Sequence, residues 1–287
     1  MMKDKVILIT GATNGIGKAA ALDLAKQGAT VVIVGRNVEK TMATAAEIQR
    51  QSGQQKVDYL IADLSSLADV RRLAAEFKKK YSRLDVLINN AGATFTTREE
   101  TVDGYEKTFA VNHLAYFLLT TLLLDVLKAS APARIVSVSS SAHFMKGLDF
   151  DDLQNKNFGM MGFGAYSASK LENVMFTYEL ARRLEGTGVT ANVLHPGFVK
   201  SGFGSNNGGL FSMFIKLIQS VGAITPEQGA DTIVYLASSP DVEGVSGKYW
   251  IKRKDTPSAK FSYDVAANKR LWEISEQLTS AGQKVSV

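Results

Sequence analysis

Short apolar runs alternate with amphipathic stretches of helix length along almost the whole chain. The runs fall at residues 6–10, 30–35, 57–62, 84–89, 134–139, 190–195 and 248–251. This alternation is the strand–helix–strand rhythm of a parallel sheet. Within the runs, Val31-Val32-Ile33-Val34 and Val86-Leu87-Ile88 are apolar at successive positions, as required of strands covered by helices on both faces. The pattern predicts one α/β domain over residues 1–287, with a doubly wound, seven-stranded parallel sheet and helices on both faces. The most apolar helical stretch, about 114–127, is short of a membrane span and carries Thr120, Thr121 and Asp125, so it reads as a core or interface helix. A glycine- and asparagine-rich segment, 201–209, follows the sixth run and precedes the apolar stretch 210–215. Ligands of open α/β sheets bind beyond the carboxyl ends of the strands, so residues 200–223 are expected to form a substrate lid and 252–287 a C-terminal extension.

Composition narrows the chemistry. With 287 residues and 45% hydrophobic content the chain can bury a large core. Its net charge of +5 is spread out, without basic runs interleaved with aromatics, which reads as a solvated surface and not as a nucleic-acid groove. No cysteine is present, which excludes disulfides, thiol catalysis and cysteine-ligated metals. His113, His143 and His195 lie far apart and show no metal-ligand spacing, so no metal site is expected. The first apolar run is too short for a signal-peptide core or a membrane span, which makes a cytoplasmic location the default expectation, with peripheral membrane attachment through the apolar lid left open.

The first run ends in Thr10-Gly11-Ala12-Thr13-Asn14-Gly15-Ile16-Gly17, and a helix is expected from about 16 to 27. Three glycines there permit a tight turn, close approach of a phosphate to backbone N–H groups and close helix–strand packing. The spacing Gly-x-x-x-Gly-x-Gly is not the common Gly-x-Gly-x-x-Gly. Residues 12–18 nearly match an ATP-binding loop, but Ala19 stands where a magnesium-holding Ser or Thr belongs. The second run ends at Gly35-Arg36-Asn37, with no acid for a ribose 2′-hydroxyl; Arg36 beside the small, neutral Asn37 suits a 2′-phosphate and so NADP(H) over NAD(H). Asp63-Leu64 after the third run could meet an adenine amino group, or Asp63 could start a turn or cap the next helix. Asn89-Asn90-Ala91-Gly92 and Val138-Ser139-Ser140-Ser141 place small polar groups at two further strand ends. No Gly-x-Ser-x-Gly elbow exists, which argues against a serine hydrolase.

Tyr166 and Lys170 stand four residues apart, on one face if that stretch is helical. A nearby cation favours a phenolate, and bringing a tyrosine from about 10 to near 7 takes about three pKa units, or roughly 4 kcal/mol. A second cation, such as a nicotinamide, would supply what one lysine does not.

Taken in order, residues 10–17, Asn89 to Gly92, Asn112, Ser140, Tyr166 with Lys170, and Pro196-Gly197 resemble the short-chain dehydrogenase/reductase family over nearly the whole chain. Gly35-Arg36-Asn37, the run Val138 to His143, and Gly247-Lys248-Tyr249-Trp250 resemble its retinol dehydrogenase and carbonyl reductase branch, which also shares an insertion at about 145–152. The resemblance implies a Rossmann fold and hydride transfer between NADP(H) and a carbonyl or alcohol of a fairly apolar small molecule. It implies Tyr166 as proton donor, Lys170 on the nicotinamide ribose and lowering the tyrosine pKa, Ser140 (with Ser139 second) on the substrate oxygen, and Asn112 holding a water. Gly11, Thr13, Asn14, Gly15, Ile16, Gly17, Arg36, Asn37, Asp63, Leu64, Asn90, Ala91, Gly92, Pro196, Gly197 and Val199 would contact the cofactor. Asp149, Asp151 and Asp152 in the insertion read as a solvated loop or helix cap. A homodimer or homotetramer through the helices near 114–127 and 166–184 stays open, as does a redox-sensing NADP(H)-binding module without turnover.

Overall fold

The apolar runs pair side by side in the computed structural model, which describes residues 2–145, 147–157, 162–199 and 223–280. Strands β1 (Val6–Thr10), β2 (Thr30–Gly35), β3 (Val57–Ile61), β4 (Val86–Asn89), β5 (Ala133–Val138), β6 (Val189–His195), β7 (Tyr249–Ile251) and β8 (Lys254–Asp255) form one sheet in the order β3-β2-β1-β4-β5-β6-β7-β8. The expected seven parallel strands are joined by an eighth, antiparallel to β7. The turn between them, Lys252-Arg253, holds both residues at positive φ (50° and 61°). A two-residue hairpin of this kind usually announces itself with Asn or Gly, and neither is present, so the sequence carries no sign of it.

Alternate residues of the strands feed two cores. Ile7, Ile9, Ile33, Ile88 and Leu194 face α1 (Gly15–Lys26), α2 (Val38–Ser52) and α6 (Pro226–Ser238). Leu8, Val32, Leu87 and Ile135 face α3 (Leu67–Lys80), α4 (Lys107–Ala129) and α5 (Phe163–Arg183). Asn37 caps α2 by accepting from the Lys40 N–H, and Gly53 in the left-handed region ends it. A capping box of Thr225 and Gln228 starts α6, with Pro226 at its first position.

Helix α4 is longer than its apolar stretch suggested. The Glu106 carboxylate accepts from the N–H groups of Thr108 and Phe109, starting the helix early, and a π-turn at Ala110–Leu114 interrupts it before the run Ala115–Ala129. Its 23 residues are long and apolar enough to cross a membrane, contrary to the sequence-based expectation, but 67% of its most apolar window is buried within this fold.

One face of the helix pair expected to meet a second subunit is covered from within. Helix α7 (Val265–Ser280), in the C-terminal extension, lies on α4 and α5. There Trp272 stacks on Phe176 with ring centroids 5.8 Å apart and meets Phe117 edge-on at 4.8 Å. Arg183 lies 4.3 Å above the indole. All of the expected lid at 200–223 except Ala223, and residues 281–287 of the expected extension, lie outside the described residues. The acidic insertion is a turn: Asp149 and Asp151 are exposed, and Asp152 accepts from the Lys156 and Asn157 N–H groups.

Replacing Trp272 by Ala is expected to lower stability by about 3–5 kcal/mol, the usual cost of emptying a large aromatic site. Urea unfolding checks this, and a loss below about 1 kcal/mol would show that α7 is not an integral layer.

Candidate active site

The carboxyl ends of β1 and β4 are adjacent, with the next strands diverging to either side, the crevice where open α/β sheets take ligands. Thr10 Oγ1 accepts from the Asn90 and Ala91 N–H groups at 3.0 and 3.1 Å, and Asn90 Nδ2 donates to the Thr10 and Gly11 carbonyls at 2.9 and 3.0 Å. These bonds join the glycine turn to the Asn-Asn-Ala-Gly segment. Gly11, at φ +65°, has no room for a side chain: a Cβ would stand 2.7 Å from Ala91 Cα. At Gly17 it would stand 2.6 Å from the Gly11 carbonyl oxygen. Asn14 precedes α1 without a side-chain cap, and no acid occupies the helix's first turn. Asn90 Oδ1 is buried with no partner among the described residues.

Arg36 is exposed at the end of β2 and forms no ion pair among the described residues. Gly35 before it lets the Thr13 loop pack close: a Cβ there would meet Thr13 Cγ2 at 2.5 Å. Asn37 spends its side-chain oxygen on the α2 cap. Asp63 Oδ1 accepts from the N–H and hydroxyl of Ser65, while Ser66 caps α3; Asp63 therefore forms the turn and is not the cap. Leu64 packs against the α3–α5 side of the core. Beyond β6, Pro196 and Gly197 are half-buried, and Val199 bridges to Ile224 and packs against Gly229.

Tyr166 and Lys170 lie on α5 as the spacing predicted. Ser140, at the end of β5, hydrogen-bonds the Tyr166 phenol and accepts from the Ala142 N–H at 3.2 Å. Ser139 is turned away, its hydroxyl donating to the Lys170 carbonyl at 2.7 Å. Lys170 Nζ, 3% exposed as a residue, donates to the Val138 carbonyl at 3.1 Å and lies 5.6 Å from the Tyr166 ring centroid. A Cβ on Gly92 would stand 3.1 Å from that amine. Asn112, in the π-turn, accepts from the Ala93 N–H and donates to the Ala93 carbonyl, both at 2.9 Å, and to Ser169 Oγ at 3.0 Å. Ser169 in turn donates to the Tyr166 carbonyl. π-turns are frequent at functional positions.

The protonation pattern departs from the expectation. Burial raises the Tyr166 pKa to about 12 against the opposing hydrogen bond from Ser140, and burial lowers that of Lys170 to about 7. With the protein's own groups, desolvation is the largest influence on both side chains, so the phenol is held protonated.

Three contributors were not singled out from the sequence. Tyr116, buried, donates to the Ala91 carbonyl at 2.7 Å, with its ring 5.9 Å from Lys170 Nζ. Its spacing of four residues from Asn112 was the available signal. His143 and His195 brace the turn after β5, and only their spatial neighbours reveal this. A cavity of about 950 Å³ lies at the opposite, amino-terminal end of β5 and β6, lined by Arg134, Arg182 and Gly188 among others, and contains none of the expected site residues.

A model of the short chain dehydrogenase family matches residues 5–208. The chain belongs to the short-chain dehydrogenase/reductase family. Within it, the sequence is 43% identical over 291 residues to human retinol dehydrogenase 14, covering 96% of this chain and 86% of that protein. Among solved structures, an uncharacterised protein from Mycobacterium paratuberculosis aligns with a TM-score of 0.78 and 30% identity over 97% of this chain and 94% of its own. The NADP complex of RhlG from Pseudomonas aeruginosa aligns at 0.69 and 26% identity over 91% of this chain and 97% of its own.

Acid should destabilise the site and its supports together. Burial lowers the pKa of His113 to about 3 and that of His195 to about 4, from an ordinary value near 6.5. Below that ordinary value the unfolded chain binds more protons than the folded one, so stability rises with pH through this window and is lost on acidification. The thermal midpoint is expected to fall from pH 7 to 4. His113→Phe, which keeps the stacking on Phe109, should flatten that slope; an unchanged slope would count against the buried neutral imidazole.

Proposed function

We propose that this member of the family is an NADP(H)-dependent oxidoreductase interconverting the carbonyl and alcohol of a fairly apolar small molecule, with Ser140, Tyr166, Lys170 and Asn112 as its reactive site. The observation that carries this reading is the Ser140–Tyr166 hydroxyl pair set beside a buried amine at the carboxyl end of the sheet.

The residues fit the cofactor. The glycine cradle and the open first turn of α1 suit a pyrophosphate, received by Gly11, Thr13, Asn14, Gly15, Ile16 and Gly17. Arg36, without an ion pair among the described residues, suits the 2′-phosphate, a preference supported by the NADP complex of RhlG. Asp63 and Leu64 would border the adenine, and Asn37 would contribute its backbone because its side-chain oxygen is committed. The unpartnered Asn90 Oδ1 suits a hydroxyl. Asn90, Ala91 and Gly92 would line the path to Lys170, which would hold the ribose hydroxyls, with Pro196, Gly197 and Val199 beside the nicotinamide. Bound there, the reduced cofactor supplies the hydride.

Reduction needs a proton donor on the substrate oxygen, and Tyr166 is held in its donating form. Ser140 would bond the same oxygen and orient it. As the phenol loses its proton, the new negative charge favours the ammonium form of Lys170 beside it. Asn112, anchored on both sides of Ala93, would hold the water that returns the proton. An apolar substrate is supported by Phe144, Met145, Phe163 and Phe198, each 47–67% exposed on segments flanking Ser140, Tyr166 and Gly197. The activity named for human retinol dehydrogenase 14 points the same way. Any homodimer or homotetramer would use a surface other than the face of α4 and α5 that α7 covers.

With NADPH and an apolar aldehyde such as decanal, Tyr166→Phe is expected to lower turnover by about 10²–10⁴-fold, the usual contribution of a positioned acid. NADPH binding, read by protein fluorescence, should be unchanged; retained turnover would remove the tyrosine from the mechanism. Arg36→Ala is expected to weaken NADPH about tenfold or more, as loss of a charged hydrogen bond does, and to leave NADH nearly unaffected. Equal losses would contradict a 2′-phosphate contact.

A further inference from the structure

The imidazole of His143 is 1% exposed and is bonded at both nitrogens. Nε2 accepts from the Ala259 N–H at 3.1 Å, so it carries no proton. The proton therefore sits on Nδ1, which donates to the Ser140 carbonyl at 2.6 Å. Phe144 and Tyr249 hold the ring, their centroids 4.0 and 4.7 Å from its own. The other side of the same peptide unit is also held, since the Ser141 N–H donates to His195 Nδ1 at 3.2 Å. The peptide joining Ser140 to Ser141 is thus gripped by one imidazole at its carbonyl and by another at its N–H. Ala259 is itself fixed: the next-door Ser258 hydroxyl shares hydrogen bonds with Tyr178 and Ser262, both at 2.7 Å.

We propose that His143 is a positioning residue for Ser140: its Nδ1–H fixes the rotation of the 140–141 peptide, and with it the direction of the Ser140 hydroxyl toward Tyr166, while Nε2 anchors that peptide to the C-terminal extension at Ala259. Two strand ends and a distant segment are thereby locked into one arrangement. A hydroxyl that must meet both a phenol and a substrate oxygen loses much of its effect when displaced by a fraction of an ångström. The inference rests on the reading of Ser140 as the substrate-orienting hydroxyl.

The two nitrogens can be tested separately. In His143→Asn the amide nitrogen takes the place of Nδ1 and keeps a donor for the Ser140 carbonyl. In His143→Gln the amide oxygen takes the place of Nε2 and keeps an acceptor for Ala259. Both retain a polar side chain, so the comparison does not depend on the Ala variant folding. With NADPH and decanal, kcat of His143→Asn is expected to stay within about threefold of the parent, and that of His143→Gln to fall about tenfold or more. KM for NADPH and NADPH binding by fluorescence should be unchanged in both, whatever their thermal midpoints. Equal loss in the two variants, or kcat that simply follows stability, would overturn the positioning role. Ser140→Ala separates the premise from the proposal. If it is inactive while His143→Asn and His143→Gln both match the parent, the reading of Ser140 stands and the role of His143 fails. If Ser140→Ala turns over normally, the premise fails and the proposal falls with it.

Discussion

Taking a lysine amine out of water costs several kcal/mol unless polar groups replace the lost solvent, and at the carboxyl end of this sheet few do. Lys170 Nζ has the Val138 carbonyl at 3.1 Å and the faces of Tyr116 and Tyr166 at 5.9 and 5.6 Å. Its neighbours are arranged to admit it. A Cβ on Gly92 would stand 3.1 Å from it and push it aside by a few tenths of an ångström, and the backbone carbonyl of Lys170 is held by Ser139. The cost shows in a pKa near 7, so the amine is poised between charged and neutral forms. A buried group in that condition is poorly suited to a purely structural role and well suited to answering a charge that appears beside it. The phenol of Tyr166, held protonated by the same desolvation, is the nearest place for such a charge to form.

The rest of the sheet's carboxyl end supports that pair. Thr10 and Asn90 bind the glycine turn to the end of β4, so the proposed phosphate cradle and the floor of the amine pocket move as one body. The π-turn places Asn112 on Ala93, immediately after Gly92, and Ser169 carries the connection on to the Tyr166 carbonyl. The C-terminal extension adds the outer supports, through His143 to Ala259 and through His113 to Ser275.

The alternation of apolar runs with helical stretches was enough to locate seven of the eight strands to within two residues at either end; the signal is plainest in β1, β2 and β4, which are apolar and buried almost throughout. β8 was not legible: its turn uses Lys252 and Arg253 at positive φ, where neither residue type signals a hairpin. The length of α4 was misjudged because a buried carboxylate, Glu106, starts it ahead of the apolar stretch. The Tyr166–Lys170 spacing placed both groups on one helix face, but it could not give their protonation. Spacing reports who is near, whereas the pKa depends on how much solvent has been removed. The roles of Tyr116, His143 and His195 were not legible for a related reason, since their contacts to Ala91, Ala259 and Ser141 join segments distant in sequence.

Direct transfer of hydride from the cofactor to carbon tests the central claim. NADPH carrying deuterium at the transferable C4 position would be incubated with the protein and a panel of apolar aldehydes including retinal and decanal, and the alcohol examined by mass spectrometry and NMR. The account predicts one deuterium on the carbinol carbon and none exchanged with solvent. Tight NADPH binding with no deuterated alcohol from any aldehyde would contradict it and leave the chain a nucleotide-binding module.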